Sequence, residues 1–276
     1  MPIIHAIVLG ITQGLSEFLP ISSSGHLLIV PWLFNWTELT RNPELNKTFD
    51  VALHAGTFVG AVAYFRNDLA RLIGAALTSV RHRAVNTPDQ RLAWLLLLSA
   101  IPGAVTGALF EKVIEDHLGK PVLVAIMLAV FGLVLLAVDR MVEKREMGEF
   151  NTRDAVLMGA AQALALQPGV SRSGITITMG RWLGYTRDAA ARISFLMSLP
   201  IIGGAALYKG AKLAAGAGIP PGFVGAFVWG TVASAITGFA AVWLVLRYVR
   251  TGSFKPFVVY RLGAAAFILA VAAARG

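Results

Sequence analysis

The stretch Gly10-Ile11-Thr12-Gln13-Gly14-Leu15-Ser16-Glu17-Phe18-Leu19-Pro20-Ile21-Ser22-Ser23-Ser24-Gly25-His26 has a second version further along, Gly159-Ala160-Ala161-Gln162-Ala163-Leu164-Ala165-Leu166-Gln167-Pro168-Gly169-Val170-Ser171-Arg172-Ser173-Gly174. Gly10, Gln13, Leu15, Ser22, Ser24 and Gly25 fall on Gly159, Gln162, Leu164, Ser171, Ser173 and Gly174 at a constant offset of 149 residues. Each copy sits in an apolar stretch that Pro, Ser and Gly interrupt in the middle, and such a run breaks a helix. The copies differ where chemistry resides. Glu17 and His26 stand only in the first, and Arg172 only in the second, opposite Ser23. One copy holds an acid/base set and its twin holds a guanidinium.

The rest of the chain says what surrounds this pair. Its 276 residues are 56% hydrophobic and 14% charged, with a mean hydropathy of +0.68. That is too apolar for a soluble domain of this length and indicates a membrane protein. The net charge of +9 does not point to nucleic acid. The basic residues lie in short loops between apolar runs, the pattern that orients a membrane protein. With no cysteine, disulfides and thiolate metal sites are excluded. The first Lys or Arg is Arg41, and Gln13 and Glu17 interrupt the first apolar run, so no cleavable signal is expected.

A spanning helix needs about 20 mostly apolar residues. Six segments approach this, at 49–65, 92–110, 122–138, 193–208, 223–246 and 257–274. The two broken stretches, 3–34 and 154–180, read as re-entrant helix hairpins, because irregular backbone survives at membrane depth only where protein or a water-filled cavity satisfies it. The expected fold is an all-α polytopic membrane protein with six transmembrane helices and two re-entrant hairpins. Segments 66–91 (Arg66, Arg71, Arg81, Arg83, Arg91), 139–153 (Arg140, Lys144, Arg145, Arg153) and 247–256 (Arg247, Arg250, Lys255) are basic and read as cytoplasmic loops. Loop 111–121, with Glu111, Glu115 and Asp116, reads as external, as do both termini. The first hairpin then enters from outside and the second from the cytoplasm.

Weaker echoes follow the hairpins. Gly60–Tyr64 resembles Gly204–Tyr208, and Ala104–Gly107 resembles Ala235–Gly238. They divide one membrane domain, 1–276, into repeats 1–145 and 150–276, each a hairpin followed by three spans. An odd number of spans gives the halves opposite topology, with a site expected where the broken helices meet. The Gly- and Ala-rich spans also permit a homodimer.

Gln13 and Glu17 share one helix face, and a carboxylate inside an apolar segment is costly and marks function. Ser22-Ser23-Ser24-Gly25-His26 places hydroxyls and an imidazole on a turn whose free N–H groups suit an anion. A serine beside a base is the minimal activated nucleophile. Arg172 offers a planar, permanently charged fork for phosphate. Together Glu17, Ser23, His26 and Arg172 suit phosphoryl transfer on an amphiphilic substrate. Further phosphate contacts are expected from Gln13, Ser22, Ser24, Gly25, Ser171, Ser173, Gly174 and Thr176. His82 and His117 fall in loops and His5 lies near the terminus, while His54 reads as a packing residue in a span. Arg181, Arg187 and Arg192 read as cytoplasmic topology determinants.

At these residues the chain resembles the undecaprenyl-diphosphate phosphatase family, the bacitracin-resistance proteins. The family signature is a Glu/Gln-x-x-x-Glu run leading into Phe-Leu-Pro-x-Ser-Ser-x-Gly-His, with a later Pro-Gly-x-Ser-Arg-Ser. Here these stand as Gln13 to Glu17, Phe18 to His26, and Pro168 to Ser173. The resemblance covers essentially the whole chain. It implies hydrolysis of the lipid undecaprenyl diphosphate to undecaprenyl phosphate, the carrier for peptidoglycan precursors, in the bacterial inner membrane. It implies a site open to the periplasm, catalytic roles for Glu17, Ser23, His26 and Arg172, and help from Mg²⁺ or Ca²⁺ held by Glu17 and Gln13. Gln13 is a departure, since many members carry a second Glu there; the amide removes one charge and leaves Glu17 as the main anionic ligand or base. Serine and histidine both remain open as the nucleophile. Type 2 phosphatidic-acid phosphatases share the Ser-Gly-His and Ser-Arg runs but need a His shortly beyond the Arg, and Ile175 to Gly184 contain none. A flippase of polyprenyl phosphate is the alternative function, because inverted repeats with broken helices are common in carriers.

Overall fold

A computed structural model describes residues 1–37, 43–141, 144–215, 219 and 221–275. Arg41 lies outside the described residues, as do the side chains of Glu111, Glu115, Asp116 and His117. The elements are α1 (Ile3–Phe18), α2 (Ser23–Phe34), α3 (Pro43–Tyr64), α4 (Arg66–His82), α5 (Pro88–His117), α6 (Pro121–Asp139), α7 (Thr152–Leu164), α8 (Arg172–Trp182), α9 (Arg187–Ala215), α10 (Val224–Tyr248) and α11 (Lys255–Ala274). The only β pairing among the described residues is one isolated bridge between Arg145 and Tyr185.

Among the described residues five helices are long and apolar enough to cross a membrane: α5 over Pro88–Phe110, α6, α9 over Arg187–Tyr208, α10 and α11. The sixth expected span falls in α3, which meets that test only together with α4, across a bend of 85°. Here one expectation needs correction. Segment 66–91, read as a basic loop, contains the 17-residue helix α4. Leu69 and Leu72 of α4 pack on the main core, while Arg71 pairs with Asp68 and Asp89. Its arginines thus occupy the polar side of an amphipathic helix.

Both broken stretches do break, and on the same turn. α1 and α2 have 16 and 12 residues, and α7 and α8 have 13 and 11, so each piece is too short to span alone. Ser22 (φ 77°) and Ser171 (φ 74°) both hold a positive φ, which is uncommon without glycine. Each hydroxyl accepts the N–H three residues on, Gly25 N at 3.3 Å and Gly174 N at 3.1 Å. Each serine therefore caps the helix it precedes, which offsets the backbone strain.

The helices pack in pairs that join residues 1–145 to residues 150–276. α1 lies on α10 and α7 on α5; α3 lies on α10 and α9 on α5; α6 lies on α11. Glycine permits the closest of these approaches. A Cβ on Gly14 would sit 1.9 Å from Thr237 Oγ1 and 2.6 Å from the Ser234 carbonyl. Gly14→Val is therefore expected to destabilise the protein by about 3 kcal/mol, because backbone must move to admit it. Thermal unfolding in detergent checks this; an unchanged Tm would mean that α1 and α10 are further apart.

One end of the bundle is tied by ion pairs. Arg192 reaches Asp68 at 3.0 Å, Arg187 reaches Asp139 at 2.7 Å, and Arg250 reaches Asp188 at 3.4 Å. The Phe254 N–H donates to Asp139 at 3.1 Å. These contacts gather the basic segments 66–91, 139–153 and 247–256 at that end. Arg181 is fully buried and donates to the carbonyls of Tyr185, Asp139 and Met141. Arg181, Arg187 and Arg192, read from the sequence as topology charges, also serve as structural ties. Beside them Asp154 accepts from Arg145 at 2.6 Å and from the Tyr185 hydroxyl at 2.5 Å. Burial and that carboxylate push the Tyr185 phenol above its ordinary range, so it remains a donor.

Candidate active site

The two broken pairs meet at their loops. The Gly169 N–H donates to Ser22 Oγ at 3.0 Å, and Ser173 Oγ donates to the Leu19 carbonyl at 3.0 Å. A third tie comes from α11. Arg261 is fully buried and donates to Pro20 O of the first loop, and to Gly169 O and Val170 O of the second. Its guanidinium also reaches the carbonyls of Met127 and Leu128 on α6. The loops are thus fixed relative to each other by these hydrogen bonds, most of them to backbone carbonyls.

This brings three of the four expected catalytic groups together. Glu17, in the last turn of α1, is buried. Its Oε2 accepts from Ser23 Oγ at 2.5 Å and from Gln13 Nε2 at 2.8 Å. Its Oε1 takes the Arg172 guanidinium from across the loop interface. Gln13 lies one turn before Glu17, as the spacing requires. The Ser23–Glu17 contact has the geometry that a nucleophile paired with a base requires, and Arg172 sets a permanent positive charge beside it. The first turn of α2 leaves the Ser23 and Ser24 N–H groups without intrahelical acceptors. A cleft of about 580 Å³ opens over this group, with Glu17, Ser23, Ser24 and Arg172 at its polar part and Leu27, Leu166, Ile201 and Ala205 among its apolar walls.

His26 is set apart. Its Nδ1 donates to the Ser22 carbonyl at 2.7 Å, and its Nε2 lies 2.7 Å from the Tyr260 hydroxyl. Its ring borders a separate apolar recess of about 490 Å³, with Gly25, Ile29, Leu128 and Phe267. The imidazole nearest the carboxylate belongs instead to His54, whose Nε2 is 3.7 Å from Glu17 Oε2 and whose Nδ1 donates to the Asp50 carbonyl. His54 lines the cleft, contrary to its reading as a packing residue. Lys47, Asp50 and His54 sit at helical spacing on α3, and that polar stripe was the available signal.

The remaining expected phosphate contacts divide. Ser22 and Ser24 line the cleft, but Ser22 Oγ is already used by Gly25 and Gly169. Ser171 Oγ caps α8, and Gly174 supplies the N–H it accepts. Ser173 ties the loops. Thr176 is fully buried and bonds Ser194 on α9 and the Arg172 carbonyl. Among the described residues no group of three His, Asp or Glu side chains is placed to hold a metal ion.

A family model described as "Bacitracin resistance protein BacA" matches residues 6–267. A protein named undecaprenyl-diphosphatase from Pelobacter propionicus is 46% identical over 273 residues, covering 98% of this chain and 97% of that one. One of the same name from Geobacter sulfurreducens is 47% identical over 277 residues and covers 100% of both chains. A third, from Moorella thermoacetica, is 46% identical over 273 residues, covering 98% of each. With its signature residues on two interlocked loops and a match along nearly its whole length, the chain belongs to the BacA family of bacitracin-resistance proteins.

Proposed function

We propose that this protein hydrolyses undecaprenyl diphosphate to undecaprenyl phosphate, which returns the lipid carrier to cell-wall synthesis and confers bacitracin resistance. The observation that carries this is the Ser23–Glu17–Arg172 group beneath a cleft with apolar walls. The terminal phosphate of the substrate draws Arg172 from Glu17. The released carboxylate takes the Ser23 proton as Ser23 Oγ attacks the terminal phosphorus. The bond between that phosphorus and the bridging oxygen breaks, and the isoprenyl monophosphate departs. Water then cleaves the phosphoserine and frees inorganic phosphate. His26 holds the Ser22 carbonyl behind the nucleophile, and Glu17 returns the proton it took from Ser23 to the departing bridging oxygen, which leaves the carboxylate free to act on the incoming water. Serine is favoured as the nucleophile because Ser23 touches the base, whereas both His26 nitrogens are engaged elsewhere.

A divalent ion, Mg²⁺ or Ca²⁺, would be held by Glu17 and Gln13, whose Oε1 is buried without a partner, and by oxygens of the diphosphate. One carboxylate plus substrate phosphate is a set that suits Mg²⁺. When bound, the ion would neutralise diphosphate charge. The chain is placed in the bacterial cytoplasmic membrane as an inverted repeat whose broken pairs α1–α2 and α7–α8 are re-entrant. The matching helix pairs, the short broken helices and the loop-to-loop contacts support this. The arginine-rich end faces the cytoplasm by its charge. The cleft opens to the outside, on the side of Gly119, which borders it.

Phosphate release from undecaprenyl diphosphate, measured on detergent-purified protein with and without EDTA, tests the reading. Wild type should release phosphate and Ser23→Ala should not, and rapid acid quench should trap a phosphoenzyme that survives acid. An acid-labile adduct would assign the nucleophile to histidine. Substrate binding without release by the wild type would favour the flippase.

A further inference from the structure

The repeat leaves a second glutamine with nothing to hold. Gln13 and Gln162 occupy the same position in the two copies. Four residues on, the first copy has Glu17 and the second has Leu166. Gln13 therefore gives its amide N–H to a carboxylate, while the equivalent neighbour of Gln162 is a hydrocarbon. Gln162 is only 4% exposed, yet neither Nε2 nor Oε1 has a hydrogen-bond partner. It borders the cleft, beside Gly103 of α5, where a Cβ would come within 3.4 Å of its Nε2. A buried amide without partners destabilises a protein, so an apolar residue of the same shape would make this fold more stable.

We propose that Gln162 is a substrate-binding residue, its amide hydrogen-bonding the phosphate that stays on the isoprenoid chain. This rests on the diphosphatase reading. The terminal phosphate belongs to Arg172 and Ser23. The other phosphate joins that polar group to the hydrocarbon. Gln162 lies on the cleft wall with Ala165, Leu166, Ile201 and Ile202, an uncharged donor among apolar side chains. Nε2 donates to a non-bridging phosphate oxygen, and Oε1 accepts from a water or a protonated phosphate oxygen. A neutral amide here also serves turnover. It orients the monophosphate without the grip of a second arginine, so the product leaves.

Gln162→Met, close in volume but without the amide, tests this beside the wild type, with Gln162→Leu as a second apolar variant. Without substrate, both variants should have a Tm equal to or above that of the wild type. KM for farnesyl diphosphate should rise about tenfold with kcat within about twofold, as loss of a hydrogen bond to a charged group would give. Inhibition by farnesyl phosphate should weaken by the same factor, and inhibition by inorganic phosphate should not change. A lowered Tm with unchanged KM would make Gln162 a structural residue and overturn the proposal. So would equal weakening of both inhibitors. If the wild type releases no phosphate but calorimetry shows farnesyl phosphate binding that the variants lose, the diphosphatase reading fails and the binding role stands. Equal calorimetric affinity in all three proteins overturns the role itself.

Discussion

Arg172→Ala is expected to lower phosphate release by about 10³-fold or more, the scale of removing an arginine that stabilises a phosphoryl transition state. A second effect accompanies it. Arg172 is the ion-pair partner of Glu17, whose side chain is only 4% exposed. Removing one member of a buried pair leaves the other as an uncompensated charge and costs about 3–5 kcal/mol. Lost activity alone would therefore not distinguish a lost clamp from a damaged fold. The double variant Glu17→Gln/Arg172→Ala separates them. It should recover most of the Tm lost by Arg172→Ala and recover no activity. Arg172→Lys should keep the fold and lose most of the rate, because a point charge replaces a planar fork. If Arg172→Ala retained more than a tenth of wild-type kcat/KM, another group would have to clamp the phosphate.

Arg261→Met should be as damaging, by a different route. Its guanidinium holds carbonyls of both loops and of α6, so backbone oxygens take the place of a counter-ion. Truncation leaves at least four buried carbonyl groups without their donor, at about 1–3 kcal/mol each before relaxation. The expected result is a Tm too low for purification, or a folded protein in which Ser23 and Arg172 no longer face each other. Arg261→Lys should rescue the fold in part, since an ammonium reaches fewer carbonyls. Full activity in Arg261→Met would mean that Ser22–Gly169 and Ser173–Leu19 suffice to join the loops.

Much of this was legible in the sequence. Pro20 with Ser22-Ser23-Ser24 and Pro168 with Ser171-Arg172-Ser173 announced the two breaks, and the Gln13–Glu17 spacing announced their shared face. The rest was hidden for physical reasons. α4 intersperses Arg66, Arg71 and Arg81 among its apolar residues, so its period lies under a charge pattern that also fits a loop. Arg261 sits in an apolar span, where a charge marks function. Its partners are backbone carbonyls, which carry no residue identity to search for. Arg181 shows its charge in the sequence but not its carbonyl partners, for the same reason. His26 and His54 exchanged expected places because a motif fixes position along the chain, not the side of the helix on which an imidazole finds its hydrogen bonds.

The Glu17–Arg172 pair has a consequence for selectivity among anions. In the resting protein the clamp already holds a counter-anion that is part of the chain. Any competitor must displace a tethered carboxylate whose effective concentration is far above that of solutes. Chloride is singly charged, and neither it nor free orthophosphate brings a hydrocarbon whose burial would help offset displacement of the carboxylate. A lipid diphosphate brings both charge and hydrocarbon. The enzyme would thus be guarded against saturation by the small anions around it and against retention of the phosphate it has just released.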